Sequence, residues 1–151
     1  MSAEALFSLA GAITMPGWLL LALLPRWKWS ARLICSAVIP ALLGVLYVGL
    51  FVVHGPGSEG GFSSLADVSS LFSNPFLLLA GWIHYLAFDL FVGAWEVRDA
   101  QRLQIPHLLV LPCLVLTLML GPTGLLVYLV VRAVRVRSWV TPPATEAAPG
   151  A

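Results

Sequence analysis

Four long apolar runs restrict what this chain can fold into. They cover residues 5–24, 33–53, 75–97 and 107–131, each close to the roughly 20 apolar residues that a helix needs to cross a bilayer. Only 10% of the residues are charged, whereas a soluble domain has about 25%. The sequence therefore predicts an all-α integral membrane protein, a bundle of four transmembrane helices forming one domain over residues 1–137. Residues 138–151 are rich in proline and alanine, and we expect a disordered C-terminal tail there.

The basic residues indicate how such a bundle is oriented. Arg26, Lys28 and Arg32 follow the first run, Arg98 and Arg102 follow the third, and the second connection contains neither lysine nor arginine. By the positive-inside rule, the first and third connections are cytoplasmic and the N-terminus is outside. No transit segment precedes the first run, so we expect the cytoplasmic membrane of a bacterium.

Two arrangements fit the fourth run, because it contains Gly121-Pro122, a pair typical of turns. A hairpin of two short helices brings every lysine and arginine to the cytoplasmic side, but it leaves Arg132 only about 15 Å from the turn, near mid-bilayer. A single helix kinked at Pro122 is about 37 Å long and ends at Arg132 without burying it. We expect the kinked helix. The alternative is a fourth run that is split in two, which gives five helices in total.

Two ionisable residues, His84 and Asp89, lie near the middle of the third run. An ionisable side chain at that depth costs about 2.5–3.5 kcal/mol, so each needs a partner or a function. At 100° per residue, Asp89 shares one stripe with Trp82, Tyr85 and Glu96, while His84 lies about 140° away and must meet a different neighbour. The functional interpretation is an acid and a base in a low-dielectric pocket. The structural alternative is two buried polar groups, each contributing about 0.6 kcal/mol between helices.

A second polar group lies around the end of the third run. Its members are Glu96, Arg98, Asp99, Arg102 and His107. We expect a solvated network at the membrane interface. The alternative is a charged rim over the mouth of a pocket.

Two local patterns predict helix starts. Asn74 directly precedes a proline, and we expect it to cap the third span rather than bind a ligand. Residues 64–72 space apolar side chains three or four apart, which predicts a short amphipathic helix.

A metal site is the less favoured interpretation of the histidines. His84, Asp89 and His107 are ligand types that suit iron or zinc. His107, however, opens the fourth run and lies about 15 Å from the depth of His84. We therefore expect neither a metal nor a cofactor.

Residues 71–132 carry a long compound pattern. It comprises LFSNP, AGWIHYLAFDLFVGAWEVRDAQ and IPHLLVLPCLVLTLMLGPTGLLVYLVVR. This pattern resembles the small membrane-protein family named for the fourth abscisic-acid-deficient locus of plants, whose plant members are required to make neoxanthin. The polar or charged positions that match it are Asn74, His84, Tyr85, Asp89, Glu96, Arg98, Asp99 and His107.

The resemblance implies a carotenoid or another isoprenoid lipid as the substrate. Plant members are linked to the conversion of violaxanthin, an epoxy-carotenoid, into the allenic neoxanthin, which is an isomerisation without redox change. Such a reaction delivers a proton to the epoxide oxygen and removes one from an adjacent carbon. Asp89 as the acid, His84 as the base and Tyr85 as a hydrogen-bond donor are the candidates for this chemistry. The candidates for ligand binding or for the rim of the site are Asn74, Trp82, Glu96, Arg98, Asp99 and His107.

Two further functions stay open at this point. One is a non-catalytic pigment- or lipid-binding component of a biosynthetic complex. The other is a small-solute transporter subunit, although the sequence has no detectable inverted repeat. The predicted partners are the membrane, the lipid, and a second copy or a biosynthetic complex, while the net charge of +1 excludes an electrostatic case for nucleic acid.

Overall fold

The computed structural model describes residues 1–27 and 29–136, and the regular elements in these ranges are helices. They are α1 (Ala3–Leu23), a π-helical stretch (Ser30–Val38) that continues as α2 (Ile39–His54), the short α3 (Leu65–Leu71), α4 (Pro75–Arg102), α5 (His107–Leu120) and α6 (Pro122–Val136). Within these ranges, three helices are long and apolar enough to cross a membrane: Ala3–Leu23, Leu33–His54 and Pro75–Arg102. The predicted all-α membrane bundle is confirmed. The predicted tail, residues 138–151, lies outside the described residues.

The central helix of the bundle is α4, because α1, α2, α5 and α6 all pack against it. It begins where the sequence predicted: the Asn74 side chain accepts a hydrogen bond from the Phe76 amide at 2.9 Å, satisfying an N–H group of the first turn. Pro75 opens the helix, where a missing N–H costs nothing. The predicted short helix is also confirmed, and the Ser64 hydroxyl caps it at 3.1 Å from the Asp67 amide.

The second span begins as a π-helix, which the sequence pattern did not indicate. The Ile34 amide donates to the Trp29 carbonyl at 2.9 Å, and the Ile39 amide donates to the Ile34 carbonyl, so each bond spans five residues. Cys35 lies in this stretch, with its thiol 3.4 Å from the Gly17 carbonyl oxygen of α1. The Cys35 contact therefore holds the π-helical stretch, and with it the start of α2, against α1.

The fourth apolar run is split at Gly121 into two antiparallel helices. Gly121 has φ 49° and ψ −104°, a conformation that favours glycine and ends α5. The tip of α5 reaches the middle of α4, where the Leu118 carbonyl accepts a hydrogen bond from the Tyr85 hydroxyl at 3.1 Å. Helix α6 then runs back, since its Tyr128 hydroxyl donates to Asp99, much nearer the C-terminal end of α4, at 2.8 Å. The split run is thus the arrangement found, rather than the kinked helix.

A glycine allows the two helices of this hairpin to pack closely. A Cβ added to Gly124 would overlap the amide nitrogen and the hydroxyl of Thr117. Thr117 is fully buried, and its hydroxyl donates to the Glu96 carboxylate at 2.9 Å. The same threonine therefore fixes α6 against α5 and α5 against α4.

The hairpin returns the chain to the end of the bundle where α1 and α4 finish. The Gln101 side chain donates to the Pro25 carbonyl, and His107 Nε2 lies 2.9 Å from a backbone carbonyl oxygen near the end of α1. We call this end the Arg102 end, and the opposite one, where α4 starts, the Asn74 end. Because the hairpin turns at mid-bundle, it covers α4 from its middle to the Arg102 end only.

Candidate functional site

The half of α4 that the hairpin leaves uncovered forms the floor of a groove on the flank of the bundle. Phe7 of α1 lines one side, Tyr47 and Phe51 of α2 line the other, and the hairpin tip lies against Tyr85 at the inner end. The cavity measures about 770 Å³, within the usual size of a small-molecule site. Its lining residues are Ala3, Glu4, Phe7, Tyr47, Phe51, Phe62, Phe72, Pro75, Leu78, Leu79, Gly81, Trp82, His84 and Tyr85.

Aromatic rings line both sides of this groove. On the α1 side, the ring centroids of Phe7 and Trp82 are 5.6 Å apart, and Trp82 stacks on Tyr85 at 5.3 Å. On the α2 side, Tyr47 lies 5.9 Å from His84. Such contacts hold flat apolar faces in fixed positions, and these faces suit a planar conjugated or alicyclic lipid better than a polar solute.

His84 places an imidazole in the groove. The side chain is exposed on the flank of the bundle, and its ring packs against Tyr47 of α2 and, at 4.5 Å, against Phe88. Within residues 1–27 and 29–136 it forms no hydrogen bond, so its ring nitrogens are free to bind a ligand. The expected neighbour from another span is therefore present, but it is an aromatic ring rather than an acid.

Asp89 lies outside the groove, at the hairpin tip. A Cβ added to Gly121 would lie 3.1 Å from Asp89 Oδ1 and 3.3 Å from the Tyr85 ring, so both side chains border the turn. Tyr85 lines the groove and interacts with the Asp89 carboxyl across one helical turn. The structure therefore does not bring His84 and Asp89 together. Tyr85 is the side chain between Asp89 and the groove.

The two acids of the second polar group, Glu96 and Asp99, are buried, whereas a solvated network was expected. Asp99 is 7% exposed, and its Oδ2 accepts hydrogen bonds from Arg132 Nε and the Tyr128 hydroxyl, both at 2.8 Å. Arg102 adds a longer contact of 3.3 Å to Oδ1. Arg132 is 2% exposed, and its burial is compensated by the ion pair with α4. Because the hairpin turns at mid-bundle, Arg132 lies near the Arg102 end and not at the mid-bilayer depth that counted against a hairpin.

The other members of the second group also lie away from the groove. Glu96 is fully buried and accepts its hydrogen bond from Thr117 of the hairpin. His107 is bonded to the end of α1, and Arg98 is half-buried near the Arg102 end. None of the group lines the groove, so the alternative of a charged rim over its mouth is not the arrangement found.

The positions suggested for a metal are also separate. His84 lies in the groove, Asp89 at the hairpin tip and His107 at the Arg102 end. In the part of the chain that the structure describes, no three His, Cys, Asp or Glu side chains are grouped so that they can hold a metal ion.

Two sets of residues were missed by the sequence reasoning. The first contains the groove residues outside α4, notably Tyr47 and Phe51, whose rings are 4.9 Å apart. Aromatic residues four apart within an apolar run were the available signal. The second contains Tyr128 and Arg132, and an arginine inside an apolar helix, which requires an acidic partner, was the signal there.

The chain resembles a known protein family over most of its length. The sequence model of the ABA DEFICIENT 4-like family matches residues 5–128, which include the hairpin tip and most of the groove. The chain is 25% identical over 142 residues to "Protein ABA DEFICIENT 4, chloroplastic" of Arabidopsis thaliana. That alignment covers 87% of this chain and 62% of the plant protein, so the chain spans less than two thirds of its relative. No solved structure matches the chain.

Proposed function

The chain belongs to the ABA DEFICIENT 4-like family, as the pattern in residues 71–132 predicted, and we propose that it binds an oxygenated carotenoid or related isoprenoid lipid and assists its modification by acid–base chemistry. The observation that carries this proposal is the groove of about 770 Å³ with its aromatic sides. An apolar cleft with a few convergent polar groups is the usual form of a lipid or pigment site. His84 and Tyr85 supply those polar groups.

The two polar side chains suit an isomerisation. His84 and Tyr85 are adjacent on α4 and therefore point about 100° apart, toward two sides of a ligand in the groove. The Tyr85 hydroxyl, which donates to the Leu118 carbonyl in the structure, rotates toward the ligand and gives its proton to the epoxide oxygen as the carbon–oxygen bond breaks. His84 takes a proton from the neighbouring carbon, and the electron pair left there forms the new double bond. One proton is added and one is removed, so the product is an isomer and no redox partner is required.

Asp89 acts behind Tyr85 in this proposal. It lies one turn along α4 and outside the groove, so its proton reaches the ligand through the Tyr85 hydroxyl. This assignment keeps Asp89 as the acid predicted from the sequence but removes it from direct contact with the ligand.

A second candidate function is pigment binding without conversion. The observation that favours it is the environment of His84, which packs among aromatic rings with no carboxylate to orient it. A binding component, alone or in a biosynthetic complex, needs only the aromatic sides of the groove.

We also propose that the Arg102 end faces the cytoplasm. Arg26, Arg102 and Arg135 all belong to segments that finish at this end, as the positive-inside rule requires. The N-terminus then lies on the opposite side of the membrane, near the Asn74 end.

The test uses purified protein in lipid nanodiscs with violaxanthin, and β-carotene as the analogue without epoxide oxygen. Bound pigment is measured by absorbance after repurification, and products are separated by chromatography. Trp82→Leu removes a stacking ring and is expected to weaken violaxanthin binding about two- to twelvefold, from about 0.5–1.5 kcal/mol of lost aromatic contact. Phe91→Leu is the matched control, because Phe91 is an exposed aromatic residue of α4 that does not line the groove.

The activity arm uses His84→Gln and Tyr85→Phe. If the acid–base proposal is correct, each variant retains pigment but loses about 10²-fold or more in conversion. Retained pigment with no product from any form of the protein supports the binding candidate instead. Equal losses of pigment in Trp82→Leu and Phe91→Leu refute the groove as the site.

A further inference from the structure

Three polar atoms in the described residues are buried without a hydrogen-bond partner, and their side chains lie around one glycine of α4. They are Trp18 Nε1, Asp89 Oδ2 and Glu96 Oε2. Asp89 and Glu96 each lie about one turn from Gly93, on opposite sides of it along the helix. The Trp18 ring covers Gly93, where an added Cβ would lie 2.8 Å from ring carbon Cζ3. Buried polar atoms without a hydrogen-bond partner are rare in native proteins, so these three atoms require an explanation.

Glu96 is enclosed on all sides. It has no exposed surface, and its one hydrogen bond comes from the Thr117 hydroxyl at 2.9 Å to Oε1. Among the described residues, the titratable groups that interact with it are Asp89 on its own helix, Cys113 of α5 and Tyr128 of α6. None of these carries a positive charge.

Asp89 lies at the hairpin tip and is half-buried, with its Oδ2 atom enclosed and without a hydrogen-bond partner in the described residues. Its titratable neighbours are Tyr85 and, further along the helix, Glu96. Helix α5 ends beside it at Leu120 and α6 begins beside it at Pro122, so the partial negative charge of one helix end and the partial positive charge of the other oppose each other there. An ionised Asp89 would therefore lose water at its enclosed Oδ2 without gaining an ion-pair partner among the described residues.

Asp99 provides the contrast within the same helix. The ion pairs found within the described ranges, from Arg132 and Arg102, both go to Asp99. Neither Asp89 nor Glu96 forms an ion pair there. A buried carboxylate without a positive partner is far costlier than the neutral acid, which hydrogen-bonds without a net charge.

We propose that Asp89 and Glu96 are neutral, proton-carrying acids and that together they form a buried proton store that reloads the Tyr85 hydroxyl at the floor of the groove. The role given to these protons rests on the proposed function. The inference also adds Glu96 to the residues that supply protons to the groove. After Tyr85 gives its proton to the ligand, the Asp89 O–H bond breaks and the proton passes to the Tyr85 oxygen. Asp89 is left as a carboxylate, and Glu96 is the next proton carrier on the same side of α4.

The experiment is infrared spectroscopy of pigment-free protein in nanodiscs at neutral pH. Protonated carboxyl groups have a C=O stretching band that ionised ones lack, so the wild type is expected to show this band. Asp89→Asn and Glu96→Gln should each remove one component of it. Asp67→Asn is the matched control, because Asp67 lies in the first turn of the short α3 outside the spans, and this change should leave the band unaltered.

Two further measurements keep the proposal falsifiable if a variant fails to fold. Wild-type protein with carboxyl-¹³C aspartate, and separately with carboxyl-¹³C glutamate, should each shift part of the band. In D₂O, Tyr85→Phe should slow deuterium uptake by both the aspartate and the glutamate components, because Glu96 exchanges through Asp89. A wild-type spectrum without a protonated-carboxyl band overturns the proton store, whatever the pigment assays show. A band with the expected components supports it even if violaxanthin does not bind.

Discussion

Replacing Arg132 with methionine tests the contact that fixes the hairpin to α4. The guanidinium is 2% exposed and bonds to Asp99 Oδ2 at 2.8 Å. Removing one partner of a buried ion pair costs about 3–5 kcal/mol, because the other charge stays buried without compensation. Asp99 keeps its bond to Tyr128, so we expect the lower end, about 3 kcal/mol, which is about 140-fold in the unfolding equilibrium.

The same carboxylate offers a matched control. Arg102 also bonds to Asp99, but at 3.3 Å and with half of its side chain exposed. Exposed pairs contribute about 0–1 kcal/mol, so Arg102→Met should change stability by no more than that. The double variant Asp99→Leu with Arg132→Met removes both buried charges and should be more stable than Arg132→Met alone.

Stability is measured as the free energy of unfolding, by titrating sodium dodecyl sulphate into protein in mild detergent and following helical circular dichroism. Equal, small effects of Arg132→Met and Arg102→Met would refute the reasoning. They would indicate that Arg132 reaches water at the end of a continuous fourth span. A double variant less stable than Arg132→Met would show that the pair itself, rather than an uncompensated charge, dominates the energetics.

Two other predictions concern the hairpin. Gly124→Ala should prevent close packing of α5 and α6 and lower the thermal unfolding midpoint strongly, whereas Gly11→Ala, with nothing within 4 Å of its added Cβ, should be neutral or slightly stabilising in the same scan. In single-cysteine variants lacking the native cysteines, a membrane-impermeant thiol reagent should label Val136→Cys and Ser58→Cys from opposite sides of the membrane; labelling from the same side would mean that α6 crosses.

The local features of the fold were predictable from short stretches of sequence. Apolar run length identified the first three spans, and Asn74 before a proline identified the start of α4. The break at Gly121 was also predictable, because the pair Gly121-Pro122 is typical of turns. Whether that break makes a kink or a hairpin was not predictable, because the cost of burying Arg132 depends on an acid from another helix.

The candidate site was predictable to a similar extent. Helix geometry separated His84 from Asp89 and placed Tyr85 on the Asp89 side, and the structure keeps that separation. The groove could not be foreseen, because it requires Tyr47 of α2 beside His84 and an uncovered half of α4. The burial of Glu96 was missed for the same reason, since Thr117 lies on another helix.

The sequence alone determined that this chain belongs in a bilayer as helices, because hydrophobicity, caps and helical period act within a span or between near neighbours in the chain. It also determined which side chains share a side of α4. Only the tertiary structure decided that the last run folds back at mid-bundle and that half of α4 lies open as a groove. It also decided that Asp99 forms ion pairs while Asp89 and Glu96 form none within the described residues. Those outcomes depend on contacts between helices far apart in the chain, and the residues of one helix do not specify which neighbour covers it.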